Sequence, residues 1–397
     1  MWSINERAQQ PWTDQAIVPT EILYEFDGPL TFIATFGIFE ALFHHIGRRG
    51  TSHFYAVVQP APEAIDALKS GALSVRGALN RASMWIVDFQ PDFTVKRYWA
   101  CRQEDFPEKL LPKHNVALFS YMDQAPDSLE EANSYFSIAF AGDELTKKSI
   151  PFSLLKSLID DSYEAARRLL SPVFMVGAKS GTFDFPAQAV PGSLILILEE
   201  PLINNARLRQ RTADAPVSVE DAQASFEKQR DTFFDETKEL VAAAEAGNVS
   251  DALAERRFAL LDNLQQIIPS DQSRIDRVMF SARSAGGILS VSVNERAGTT
   301  LHRAFKRIER QAVTDVGRVE IVNSPSKTFV YRSSRGKQVT CTIPPDVFQR
   351  LEENGQLRIG AIVRVKGHLT KRPQRDLMSS DMDPELAMPP PPKRNLP

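Results

Sequence analysis

From Ile22 onward the chain sets its apolar residues in short runs, ILYEF, LTFIATF, IFEALFHHI and HFYAVVQP, rich in Phe, Ile, Val and Tyr. Asp27-Gly28-Pro29 and the stretch Gly47 to Gly50 punctuate them. Runs of this kind between turn residues predict β-strands joined by tight turns. The period changes over Pro62 to Leu68, where Pro opens the segment, Ile65 and Leu68 stand three apart, and Lys69-Ser70-Gly71 stops it. That spacing predicts a helix. A second short helix over Ser74 to Leu79 precedes two more strands, SMWIVDF and TVKRYWAC, turned at Gln90-Pro91-Asp92. The first part of the chain therefore reads as a small sheet carrying short helices.

Between Cys101 and Ile150 the periodicity weakens and prolines are scattered at 107, 112 and 126, which predicts a loop region with strand pieces VALFSYM and SYFSIAFAG. Pro151 opens a helix whose apolar positions 154, 155, 158, 159, 166, 169 and 170 keep the helical period until Pro172 ends it. This boundary opens a second domain. It continues with a hairpin, GTFDFPAQAV and SLILILEE, turned at Pro191-Gly192, and a polar connector, NNARLRQRTADAPVS. Two helices follow, Val219 to Ala246 and Asp251 to Ile268, with Ser218 as N-cap and Gly247 between them. Strands IDRVMFSA and GILSVSV and a helix over Glu295 to Val313 complete a sheet covered by helices on one face.

The last third alternates cleanly in VEIV, FVY, VTCTI and IVRV, with turns at Asn323 to Ser326 and Ser333 to Gly336, a helix at Pro345 to Asn354, and Gly360 before the final strand. A β-β-β-α-β order in so short a segment predicts a small OB-like or SH3-like barrel. After Lys371 the chain has too few apolar residues to fold, so a disordered tail is expected, with polyproline II at Pro389 to Pro392. The expected fold class is thus α+β and multidomain: a β-rich N-terminal domain over residues 20–148, an α/β middle domain with sheet and helices over 151–313, the barrel over 315–370 and the tail over 371–397.

Composition narrows this little. A hydrophobic fraction of 43% and a charged fraction of 24% are globular, and 397 residues exceed one ordinary domain. The start of the chain does not read as a secretory signal, and the apolar stretch Gly28 to Ile46 is broken by Glu40, His44 and His45, so no membrane span is expected. Two cysteines, Cys101 and Cys341, fall in different expected domains, which excludes a disulfide framework and fits a reducing cytoplasm. The net charge of −3 conceals an asymmetry: residues 301–376 carry sixteen Lys or Arg against seven Asp or Glu, about +9, leaving about −12 elsewhere. One end is therefore suited to an anionic partner, or the two ends to each other.

Most candidate chemistry reads as ordinary structure. His44 and His45, with His53 nearby, would point to opposite faces of a strand and cannot chelate one ion. Gly177-Ala178-Lys179-Ser180-Gly181 lacks the order of a phosphate loop and is followed by a strand. No GxGxxG or GxSxG occurs, so no cofactor is implied. The acid pairs Asp160-Asp161, Glu199-Glu200 and Glu352-Glu353 mark solvated faces, and the strand-end acids Asp88 and Asp184 have no partner legible in sequence. The basic end stands out. Leu301, Ala304, Phe305 and Ile308 form an apolar stripe that leaves Arg303, Lys306, Arg307 and Arg310 exposed, and the barrel adds Lys327, Arg332, Arg335 and Lys337 around Phe329 and Tyr331. Cations that follow phosphates, interleaved with rings that stack on bases, suit DNA or RNA. The competing reading puts Phe329 and Tyr331, two apart, on the core face.

The pattern Tyr24-Glu25-Phe26-Asp27-Gly28-Pro29-Leu30, with YAVVQP at 55–60, LKSGALSVRGAL at 68–79 and MWIVDF at 84–89, resembles a family of uncharacterised bacterial proteins grouped under a domain of unknown function. The resemblance covers residues 21–100 best. It implies the same plan of β-rich N-terminal domain, α/β middle and small C-terminal barrel, and an antiphage or toxin-antitoxin setting. It assigns no catalytic residue. The expectation is a non-enzymatic binding protein that touches nucleic acid through its basic end and a protein partner, or further copies of itself, elsewhere. The alternatives are a metal-dependent nuclease and a scaffold or antitoxin.

Overall fold

The computed structural model describes residues 8, 9, 16–119, 125–142, 145, 150–189, 194–213, 215–271, 273–308, 312–372 and 374–387. The chain divides into two compact units, Met1–Ser134 with Ser281–Ser290, and Tyr135–Phe280 with Val291–Pro397. Helices and strands each make up about a third of it, 33% and 34%. Among the described residues no helix is long and apolar enough to cross a membrane.

In the first unit, β1 (Glu21–Glu25), β2 (Pro29–Phe36), β3 (Phe39–Arg49), β4 (Ser52–Val58), β5 (Ser83–Phe89) and β6 (Val95–Arg102) form a six-stranded antiparallel meander. The six strands predicted up to Cys101 and their turns are all present, whereas the strand piece expected in VALFSYM is absent at residues 116–119, its remainder lying outside the described residues. Both faces of the sheet are buried, which explains why apolar runs interrupt the alternation. Ile33, Leu42, Ala56, Val58 and Ile86 pack with α1 (Pro62–Lys69) and α2 (Val75–Leu79), while Phe32, Phe43, Tyr55, Val57 and Phe89 build an aromatic layer on the other side. Phe32 and Phe43 pair across β2 and β3 and stack with ring centroids 4.7 Å apart.

A half-buried carboxylate organises the edge of this unit. Asp127 accepts hydrogen bonds from the Ser74 hydroxyl at 2.5 Å, the His114 ring at 2.6 Å and the Asn115 N–H at 3.0 Å. Burial alone would raise its pKa, but these donors hold it below the usual carboxylate range. Ser74 in turn caps α2 by accepting from the Gly77 N–H. Next in sequence, Ser128 caps α3 (Leu129–Asn133): its hydroxyl accepts from the Glu131 N–H and donates to the Glu131 carboxylate. Glu131 is nearly inaccessible; burial, and then the neighbouring Asp127 charge, push its carboxyl up to about 7.

The second unit opens with β7 (Phe136–Ala141), which sequence reading assigned to the N-terminal domain. After α4 (Phe152–Leu169) come β8 (Phe183–Asp184), β9 (Ala187–Ala189), β10 (Leu194–Leu198), β11 (Leu202–Ile203), α5 (Asn205–Arg211) and α6 (Val219–Glu245). Strand β7 pairs with β10 because only a sheet partner can satisfy its backbone beside the fully apolar LILIL run. The hairpin β12 (Arg277–Ser284) and β13 (Gly287–Asn294) extends that sheet to the order β13-β12-β7-β10-β9. Phe136 and Phe280 from the sheet meet Phe233 of α6, with ring centroids at 5.4 and 5.3 Å. The helix expected over Asp251 to Ile268 is instead two, α7 (Asp251–Arg256) and α8 (Phe258–Leu264). They break at Arg257, whose guanidinium is tied to Glu236 and Glu239 of α6.

Helix α9 (Glu295–Ile308) ends before the expected Val313. The barrel begins earlier than Asp315, with β14 (Ala312–Asn323), followed by β15 (Thr328–Ser333), β16 (Gln338–Thr342), α10 (Pro345–Glu353), β17 (Ile362–Thr370), β18 (Asp376–Ser379) and β19 (Glu385–Ala387). The barrel closes in the order β14-β15-β16-β18-β17 and back to β14, with β16 and β18 parallel. That connectivity, with a helix between the third and fourth barrel strands, is OB-type rather than SH3-like. The expected disorder from 371 is corrected for residues 374–387. Met378 of β18 is fully buried, and β18 supplies the strand that closes the barrel. Four residues leave no readable period, so only the missing partner for β16 and β17 could have signalled it. Pro389 to Pro392 lie outside the described residues.

Strand β14 can pair with β15 and β17 at once because Gly317 lets them close in. A Cβ there would sit 2.3 Å from the Arg332 carbonyl oxygen and 2.5 Å from the Tyr331 ring. Gly317→Ala should destabilise the second unit by about 1–3 kcal/mol in urea unfolding. Gly286→Ala, whose added methyl meets nothing within 4 Å, should leave the midpoint unchanged.

Candidate nucleic-acid interface

Alternation along the barrel strands sends Val313, Asp315, Val319, Phe329, Tyr331, Ser333, Val339, Cys341, Val363 and Val365 inside, all buried. Phe329 and Tyr331 are therefore core residues, and the reading of them as base-stacking rings is corrected. The interior is not wholly apolar. Arg335, from the β15–β16 hairpin, folds back into it and is 1% exposed. Its Nη2 donates to Asp315 and Asp376, each at 3.1 Å, and its Nη1 to Asp262 of α8 at 3.2 Å. Asp315 also accepts from the Ser333 hydroxyl at 2.7 Å and from Tyr331 at 3.1 Å. The Arg335 guanidinium lies 5.3 Å from the Phe258 ring.

Electrostatics follow from this arrangement. Burial would lower the pKa of Arg335, but Asp315 and Asp262 more than reverse it, so the guanidinium is held charged. Burial, then Asp315, pushes the Tyr331 hydroxyl well up and the Cys341 thiol to about 12, leaving both neutral. Arg335 was a candidate ligand contact; the structure makes it an internal counter-ion. A buried cation needs paired anions around it, and two barrel strands and α8 supply them.

The other candidates scatter. Arg303, Lys306 and Arg307 are exposed on α9 opposite the buried stripe Leu301, Ala304, Phe305 and Ile308, as the period predicts. Arg307 is bound to Asp251 at 3.1 Å and to the Val249 carbonyl at 2.7 Å, and Arg303 lies 3.8 Å from Asp271. Arg332 is half-buried against Glu320 at 3.1 Å. Lys327, at the far end of β15 from Lys337, lies 5.5 Å from the Phe348 ring. Lys337 is exposed, and Arg310 lies outside the described residues.

A different set gathers around the end of the barrel that Arg335 plugs. Parallel pairing of Val339 with Asp376 brings Arg375 against β16, where its Nη2 donates to Gln338 at 3.1 Å, beside Lys337. Lys371 reaches back to α9, 4.6 Å over the Phe305 ring next to Lys306, and pairs with Asp262 at 3.3 Å. Arg372 is exposed between them, and Lys366 faces outward on β17 with Arg364 and His368. Lys306, Lys337, Lys366, Arg372 and Arg375 make no ion pair among the described residues. Lys366 was legible from the alternation of IVRVK; Lys371, Arg372 and Arg375 were hidden by assigning that loop to a tail.

The acids do not form a metal cage. Asp262, Asp315 and Asp376 converge on a guanidinium, and among the described residues no group of three His, Cys, Asp or Glu is set to hold a metal ion. His44 shares its Nδ1 with the Thr31 hydroxyl at 2.9 Å, and burial, then His45, lowers its pKa to about 4. No protein-family model, curated protein or solved structure matches the chain, so the functional reading rests on this geometry.

Proposed function

We propose that the protein is a non-enzymatic nucleic-acid-binding protein whose contact surface is the basic rim of the OB-type barrel: Lys306, Lys337, Lys366, Lys371, Arg372 and Arg375. The observation that carries the reading is that five of these cations lack an acidic partner among the described residues, whereas inside the barrel Arg335 is paired with both Asp315 and Asp376. Unpaired cations around one rim create a positive field that a phosphate chain neutralises. With Phe329 and Tyr331 inside, base stacking drops out of the reading, and the rim follows backbone rather than sequence. A role beside a protein partner in an antiphage or toxin-antitoxin setting belongs to the same proposal and rests on the family resemblance.

The test is fluorescence polarisation of a labelled single-stranded oligonucleotide with the full chain at low salt. The triple variant Lys366→Glu, Arg372→Glu, Arg375→Glu should weaken binding by about a hundredfold or more, since three phosphate contacts become repulsions. Its melting temperature should be unchanged, because all three side chains are exposed. Affinity equal to that of the parent protein would remove the rim from the account.

A further inference from the structure

We propose that a second site, a cavity of about 280 Å³ on the flank of the barrel, binds a small phosphate monoester carrying an apolar or ring portion. Its wall includes Phe174, Arg211, Arg318, Arg358, Ile362 and Leu386, and none of its described lining residues is acidic. It lies where Arg318 of β14 pairs with Ile362 of β17, at the other end of β17 from the basic rim.

Arg211, the last residue of α5, is fixed rather than free to swing. Its Nε donates to the Phe174 carbonyl at 2.9 Å, and its Nη2 to the Val176 carbonyl. Those neutral acceptors orient the guanidinium without cancelling its charge, and Arg211 makes no ion pair among the described residues. Glu320, the acid whose field reaches it, is committed to Arg332 and Gln338. Arg318 sits close, donating from Nη2 to the Arg211 carbonyl at 3.1 Å. Burial, then the Arg318 charge, brings the Arg211 pKa down to about 10. Arg358 adds an exposed cation at the mouth, with no ion pair among the described residues.

Clustered guanidinium groups beside a half-buried wall are held in mutual repulsion, which a dianion relieves more fully than a monoanion. The remaining lining divides by chemistry. Thr212, Asn354 and Gln356 offer neutral hydrogen bonding, while Phe174, Ile362 and Leu386 give an apolar side for the body of the ligand. The volume lies near the small end for ligand pockets, roughly 300 Å³ upward, which suits a mononucleotide-sized molecule better than a polymer.

The experiment is isothermal titration of the full chain with inorganic phosphate, a nucleoside monophosphate and the matching nucleoside, at constant low ionic strength set with chloride. Phosphate should bind, the monophosphate about tenfold or more tightly than phosphate, and the nucleoside without measurable heat. Arg211→Met should abolish the monophosphate signal. Arg358→Glu, an exposed change that leaves folding intact, should weaken it by about tenfold. The rim variant Lys366→Glu, Arg372→Glu, Arg375→Glu should bind the monophosphate as the parent does, separating this site from the proposed nucleic-acid surface. No binding of phosphate or monophosphate up to about 10 mM, a range that covers even weak sites, would overturn the proposal. So would a signal unaffected by Arg358→Glu, or one lost in the rim variant.

Discussion

Arg335→Ala should lower the stability of the second unit by about 3–5 kcal/mol, the cost of leaving buried carboxylates without their counter-charge. Asp315 and Asp376 are inaccessible inside the barrel and share one guanidinium nitrogen, and Asp262 ties the same group to α8. Alanine removes the cation and leaves two enclosed anions facing each other across the cavity it vacates. Partial rescue should come from Arg335→Ala combined with Asp315→Asn and Asp376→Asn, which removes the charges that the cation served. Urea unfolding followed by circular dichroism measures both. Lys337→Ala, two residues away and exposed, should stay within about 0.5 kcal/mol of the parent. If Arg335→Ala cost no more than Lys337→Ala, the barrel would not depend on this network.

Glu131→Gln should stabilise the first unit by about 3 kcal/mol at pH 8 and by almost nothing at pH 4.5. The folded carboxyl titrates near 7, above its ordinary value, because it is buried beside Asp127. Between the ordinary carboxylate range and pH 7 the unfolded chain releases this proton while the folded chain keeps it, so stability falls as pH rises through that window. Glutamine keeps the oxygen that accepts from Ser128 and loses the titration. His44 acts in the opposite sense. Its folded pKa is depressed to about 4, so its contribution is present above its ordinary value and lost as pH falls from there. In the parent the two trends oppose each other in mildly acidic solution. In Glu131→Gln the opposing carboxyl trend is gone, and the unit should become more acid-labile than the parent in slope. A gain equal at pH 8 and pH 4.5 would show that Glu131 is not buried with a raised pKa.

The first sheet was the most legible part of the fold. Its strands are joined by tight turns at Asp27-Gly28-Pro29 and Gly47 to Gly50, whose glycines adopt positive φ, and every strand is long enough to carry a pattern. Legibility failed where an element is defined by its partner. β7 reads as an isolated apolar stretch until β10 stands beside it, and β18 is four residues in a polar stretch until β16 and β17 need closing. The candidate site failed for a related reason. Arg335 and Lys337 are indistinguishable as letters in SSRGK, yet the turn sends one into the barrel and the other into solvent. Charge tallies located the basic region but could not say which charges are already neutralised, and Arg303, Arg307 and Arg332 were each beside an acid from elsewhere in the chain. The period of α9, by contrast, identified its buried and exposed faces correctly, because a regular helix fixes side-chain direction from spacing alone.

The central claim, that the unpaired rim cations bind a phosphate backbone, is tested most directly by the salt dependence of oligonucleotide binding. With about five phosphate contacts to a single strand, the logarithm of the binding constant should fall against the logarithm of salt concentration with a slope near −3.5, about a hundredfold loss between ~50 and ~200 mM salt. A flat dependence, or no binding at the lowest ionic strength, would contradict it.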